Sequence, residues 1–194
     1  MDITKVYSIL KKSLHIRLSH DTNGGQWLGN SSASYNVDGL PELDCECVLP
    51  LIGVDIDVKA KYTVMEDTER ITDMILKHEC EGDGMVELTD LNIRGVAVMR
   101  GVGRNAPACV FINANYLKPF MADDEITYIV RKTPNEAGYV LLVKRGLITL
   151  GVIAPVHYKD TSAVTDQLIA DLTNIISAIK EQQSDEDDGQ LSIE

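Results

Sequence analysis

Aromatic residues are scarce in this chain, with one Trp, two Phe and seven Tyr among 194 residues. A core of stacked rings is thereby excluded, and the 44% hydrophobic content must pack mainly as Ile, Leu and Val. Long apolar runs are missing as well: none approaches the roughly 20 residues of a membrane-spanning helix. The opening MDITKVYSILKKSLH lacks the charged, apolar and small-residue blocks of a signal peptide. These absences predict a cytoplasmic protein without membrane contact. Cys45, Cys47, Cys80 and Cys109 are then expected as free thiols.

Catalytic motifs are also lacking. There is no nucleophile elbow, and Gly24-Gly25 and Gly101-Val102-Gly103 stand outside the strand–loop–helix setting of a phosphate loop. Asp123-Asp124-Glu125 reads as a solvated turn. Cys45-x-Cys47 and His78-x-Cys80 are the one metal-like arrangement, since on strands each pair would point to one face. Zinc sites space their cysteines by two to four residues, however, and these gaps are tighter. The expectation is no enzyme, no cofactor and no metal, with the question whether Cys45, Cys47, His78 and Cys80 meet in space left open.

Positive charge is in deficit. The formal net charge is −12, from 18 basic and 30 acidic residues. Residues 181–194 hold six of the acids and no base, which leaves 24 acids against 18 bases, a net of −6, over residues 1–180. Such a body is no generic polyanion binder, so contact with nucleic acid requires its bases to gather on one surface.

The apolar spacing marks the elements. Ile3, Val6, Ile9, Leu10 and Leu14 recur at helical spacing, predicting a helix over Asp2–Leu14 with Asp2 as its cap. Lys5, Ser8, Lys11 and Lys12 fall mainly on its other side, either as a solvated face or as one turned towards phosphates. His15–His20 and Gln26–Val37 read as strands around DTNGG, and Trp27 as a core plug. Asp38–Asp57, with Pro50 in an apolar run, reads as irregular with a short helical turn. Lys59–Met65 alternates as a strand, and a helix is expected from Asp67 or Thr68 to His78. Val164, Leu168, Leu172, Ile175 and Ile179 define a C-terminal amphipathic helix that covers a sheet or pairs with its own copy. The acidic residues 181–194 are expected to be disordered. The fold class is α+β, antiparallel sheets packed on a few helices. It forms one domain over 1–180, built from halves of about 1–84 and 85–160 with the helix 161–180 added.

Residues 85–156 carry the most information. MVELTDLNIRGVAV and ACVFI read as extended, NANYLKPFMADD as a short helix between turns, and EITYIVRK, GYVLLVKRG and LITLGVIAPV as three strands. In this order, residues 85–157 resemble a half-domain of a bacterial-type DNA polymerase sliding clamp. A strand leads through a T-D-L turn into a second strand, then come an apolar strand, a helix and three closing strands. The resemblance implies a sliding-clamp-like, non-enzymatic DNA-associated or replication accessory protein, of phage or mobile-element type. Its partners would be further copies of itself, the backbone of double-stranded DNA and replication proteins. The lining helices would be Asp2–Leu14 and Asn115–Met121, with Lys5, Lys11, Lys12 and Lys118 on phosphates. A client-peptide groove would lie around Val152, Pro155 and His157. The alternative reading is an oligomeric interaction or assembly protein without a nucleic-acid role.

Overall fold

The computed structural model describes residues 1–21, 24–67, 77, 80–103, 105–133 and 138–156. They belong to one compact unit, Met1–Val156; the expected C-terminal helix, the acidic tail and the expected helix after Asp67 lie outside the described residues. Helix α1 is Ile3–Leu10. The Asp2 carboxylate caps it, accepting the Thr4 and Lys5 N–H groups at 3.0 and 3.3 Å. The helix is shorter than its apolar spacing suggested. The Leu14 carbonyl already accepts the Thr63 N–H at 2.8 Å, so Leu14 belongs to the sheet ladder and is exposed, not part of the helix's buried face.

Strands β1 (His15–His20), β2 (Gln26–Gly29) and β3 (Ala33–Asn36) follow. The expected single strand over Gln26–Val37 is a hairpin instead. Asn30 makes the reversal: its side-chain oxygen accepts the Ser32 and Ala33 N–H groups at 2.8 and 3.0 Å. The expected short helical turn is α2 (Cys45–Leu51), capped by Asp44, with Pro50 in its last turn. Residues Ile56–Lys61 form a 3-10 helix, so β4 begins only at Thr63 and runs to Glu66. Then come β5 (Gly84–Ile93), β6 (Val96–Val102) and β7 (Cys109–Asn113). Helix α3 (Ala114–Leu117) is followed by β8 (Ile126–Lys132), β9 (Tyr139–Arg145) and β10 (Ile148–Ile153). Helix α3 stops at Leu117, two residues before Pro119, and does not reach Met121 as the resemblance implies.

The strands form one mixed sheet in the order β4-β1-β2-β3-β10-β9-β8-β5-β6-β7. The α+β class holds, but the expectation of purely antiparallel sheets does not, because β4 pairs with β1 in parallel. Thr89-Asp90-Leu91 is not a turn either. It lies inside β5 at a bulge between Leu88 and Asn92, where the Thr89 hydroxyl donates to the Val98 carbonyl at 2.7 Å. The chain reverses later, at Arg94-Gly95.

A helix followed by a three-stranded meander occurs twice, as α1-β1-β2-β3 and as α3-β8-β9-β10. Their last strands meet antiparallel in the middle of the sheet, with Gly151 opposite Tyr35. Both helices pack on the same face of the sheet: Val6, Ile9 and Leu10 of α1, and Leu117 with the following Phe120, join one core with Ile16, Leu28, Tyr35, Leu141 and Ile153. The Phe120 ring sits over Gly151, 5.9 Å from the Tyr35 ring between centroids. The Pro119 carbonyl accepts the Asp2 N–H at 2.8 Å and ties the two helical segments end to side.

The sheet curls. Five strand steps separate β10 from β7, about 24 Å in a flat sheet. Residues 153 to 156 reach only about 10 Å. Yet the Val156 N–H donates to the Phe111 carbonyl of β7 at 2.8 Å, so β5–β7 fold over and place Val110 and Ile112 in the core beside the helices.

A methyl group at Gly151 would stand 2.6 Å from Phe120 Cζ, and Phe120 is fully buried. Gly151→Ala is therefore expected to cost about 1–3 kcal/mol through overpacking. The measurement is urea unfolding, with a lower midpoint and an unchanged slope as the expected result.

Candidate nucleic-acid interface

Helix α1 turns its apolar stripe inward and leaves Lys5, Ser8 and Lys12 as an exposed row, spaced by three and four residues. Helix α3 is too short to have a long face of its own, but its C-cap, Lys118, is exposed beside the same row. Between the two lies a cleft of about 270 Å³ lined by Lys5, Ser8, Ile9, Lys12, Ser13, Asn113, Asn115, Tyr116 and Lys118. Among the described residues no carboxylate lines it. In a chain with 30 acids and 18 bases this is a local inversion of charge.

Two other depressions have the opposite character. One of about 540 Å³ is lined by Asp2, Asp123, Asp124 and Glu125 with Arg145. The other, of about 460 Å³, is lined by Glu42, Asp44, Glu46 and Glu66 with His20 and Cys45. The described lining of both is mainly acidic, where that of the cleft between the helices is basic and neutral.

The cleft is held from below. Asn30, buried at the β2–β3 reversal, donates from its side-chain amide to Ser13 Oγ at 2.8 Å. The buried Tyr35 hydroxyl donates to the Tyr116 carbonyl at 3.2 Å, and burial first, then the neighbouring Tyr116, pushes the Tyr35 phenol far above its ordinary pKa. Tyr35 is thus a fixed neutral strut under α3.

Three of the four lysines expected on phosphates meet at this cleft, and Lys11 does not. It lies about 100° around the helix from Lys12. A Cβ placed at Gly53 would stand 3.1 Å from Lys11 Nζ, so that ammonium lies over the chain leaving α2. Lys5 also stands 3.6 Å from Asp2 in an exposed pair, which holds it only weakly.

Of the residues expected to bind a client peptide, Val152 is half-buried on β10 opposite Ser34 and Leu142, on the face away from the helices. Pro155 is half-buried in a segment tied by Ala154 N–H to Ser32 O at 2.7 Å and by Val156 N–H to Phe111 O. His157 lies outside the described residues.

Cys45 and Cys47 sit on helix α2, not on a strand, so two residues turn them about 200° apart. Cys45 lies beside Glu66 of β4, whereas Cys80 is next to Arg131 of β8, six strands away in the sheet order. His78 is outside the described residues. Among the described residues no group of three metal-ligating side chains forms. Burial, then Glu66 and Asp44, raise the Cys45 thiol. The side-chain hydrogen bond to Asp44, then its charge, raise Cys47.

Neither a family model, nor a curated protein, nor a solved structure matches the chain.

Proposed function

We propose that this protein is a non-enzymatic, sliding-clamp-like DNA-associated protein that meets double-stranded DNA through phosphates and not through base edges. The observation that carries this reading is the cleft between two helices on one face of the sheet, with Lys5, Lys12 and Lys118 at its rim and no carboxylate among the described residues that line it. Lysines, serines and asparagines without a deep apolar pocket suit backbone oxygens, which are alike at every base step. The repeated helix-plus-meander order gives further support, because it presents two helices side by side on one face of a continuous sheet. An acidic body with a basic strip is suited to a duplex running along the strip and nowhere else. One unit of this size cannot encircle a duplex, so encirclement requires several copies.

Titration of a labelled duplex of arbitrary sequence against the full chain tests the reading. Binding is expected to be independent of sequence, and log affinity to fall linearly with log salt at a slope of about −0.9 per phosphate contacted. Native mass of the same sample is expected to be a trimer or larger. A monomer indifferent to the duplex at low salt sinks the proposal and leaves the interaction or assembly reading.

A further inference from the structure

The hairpin between β5 and β6 closes on two residues, with Ile93 paired to Val96 across Arg94 and Gly95. Both take the left-handed backbone, at φ 51° and φ 85°. This is the geometry of a type I′ turn, whose preferred residues are Asn-Gly or Asp-Gly. Gly95 is the residue the turn demands. Arg94 is not, and it is the single non-glycine residue with positive φ among the described residues. The turn is otherwise well made, since the Gly95 N–H donates to the Asn92 side-chain oxygen at 2.9 Å. A conformational penalty is therefore accepted at one position, where a common residue would avoid it.

The tip does not stand alone. The Gly95 carbonyl accepts the Ala114 N–H, the first residue of α3, at 2.8 Å. Val96 is in register with Asn113, which lines the lysine cleft. The strained tip thus abuts the α3 side of the basic cleft. The Arg94 side chain is exposed, and among the described residues no ion pair engages it. Other exposed arginines are held: Arg100 by Glu87 at 3.0 Å, and Arg145 by Asp123.

We propose that Arg94 is a further phosphate-contacting residue, which the hairpin tip carries beside the first residue of α3 so that the basic track continues from α1 across α3 to the β5–β6 turn. This rests on the phosphate-contact reading above and extends it by one residue. A guanidinium suits this place because its planar fork meets a phosphate with two parallel N–H donors, where the lysines supply point charges.

The test uses the full chain, a labelled duplex of arbitrary sequence and a salt series. Arg94→Asn installs the residue the turn prefers, so the melting temperature is expected to stay or rise. The salt slope is expected to fall by about 0.9, which corresponds to about 15-fold weaker binding at about 50 mM salt if the affinities converge near 1 M. Arg94→Lys is expected to keep most of the binding and slope. Lys12→Glu in parallel separates the two claims. Arg94→Asn binding as wild type while Lys12→Glu binds poorly overturns the role of Arg94 and leaves the cleft reading standing. Both variants binding as wild type overturns the cleft reading itself. A marked fall in melting temperature for Arg94→Asn also overturns the inference, because it shows the arginine to be structural.

Discussion

Exchange of Lys5, Lys12 and Lys118 for glutamate is expected to abolish duplex binding without loss of the fold. Each lysine removed from a phosphate lowers the salt slope by about 0.9, so three lower it by about 2.7. If the affinities converge near 1 M salt, that amounts to about 3,000-fold at about 50 mM, before any repulsion from the new carboxylates. Stability responds differently. All three positions are exposed, where substitutions ordinarily change stability by within about 0.5 kcal/mol. Lys5 is the third residue of α1 after its Asp2 cap, so a glutamate there lies in the first turn, where negative charge favours the helix. The lost Lys5–Asp2 pair is exposed and contributes little. Lys11→Glu is the control: its ammonium lies over Gly53 and not in the cleft, so binding is expected to stay within a few-fold of wild type. If Lys11→Glu proves as damaging as the triple variant, a general charge effect explains the binding and the cleft is not the contact.

The cleft was partly legible in the sequence. Lys5, Ser8 and Lys12 could be read as one row because helical spacing alone puts them there. Lys11 does not share that row, because successive residues turn by about 100°, and its ammonium lies over Gly53 instead. Lys118 reaches the same cleft even though α3 is only four residues long. Asn30, Ser13, Asn113, Asn115 and Tyr116 were missed. For Asn30 the signal is the Asn30-Ser31-Ser32 reversal, which falls in the middle of the expected strand Gln26–Val37. The aliphatic, β-branched runs bounded by turn residues match β8 and β9 to within a residue, whereas β10 ends at Ile153, three residues before the run does. The parallel β4–β1 pair was out of reach, since nothing local in Thr63–Glu66 says which strand it joins. The T-D-L turn failed for a related reason: Thr89 satisfies its hydroxyl across the hairpin on Val98, so a bulge forms where local chemistry suggests a reversal.

The largest expected loss of stability comes from the other face of the sheet. Arg131 and Asp83 make a two-pronged ion pair, with Nε to Oδ1 at 2.8 Å and Nη2 to Oδ2 at 2.6 Å, and the Arg131 side chain is only 4% exposed. Its neighbour Val130 points into the core under the helices, so Arg131 points away from them. Nη1 donates to the Lys77 carbonyl at 2.8 Å. Asp83 in turn accepts the Cys80 N–H at 3.0 Å, so the pair fastens the segment entering β5 to β8. Asp83→Ala leaves a buried guanidinium without its carboxylate and is expected to cost about 3–5 kcal/mol. Replacing both partners by apolar residues of similar volume, as in Asp83→Leu with Arg131→Met, is expected to recover most of that loss. The pH dependence has a definite sign. Burial raises the Asp83 pKa, but the Arg131 hydrogen bonds, the Cys80 N–H and the charges of Arg131 and Lys144 outweigh it, leaving the carboxyl below its ordinary 3.8. A carboxyl with a depressed folded pKa contributes stability that is full above its unfolded value and is lost as pH falls through the folded one. The gap between wild type and Asp83→Ala, measured by urea midpoint, is therefore expected to be constant from neutral pH down to about 4 and to narrow below it. A gap that is small at neutral pH, or that widens in acid, contradicts this account of the pair. Duplex affinity of the folded variant is expected to match wild type, because the pair and the lysine cleft lie on opposite faces of the sheet.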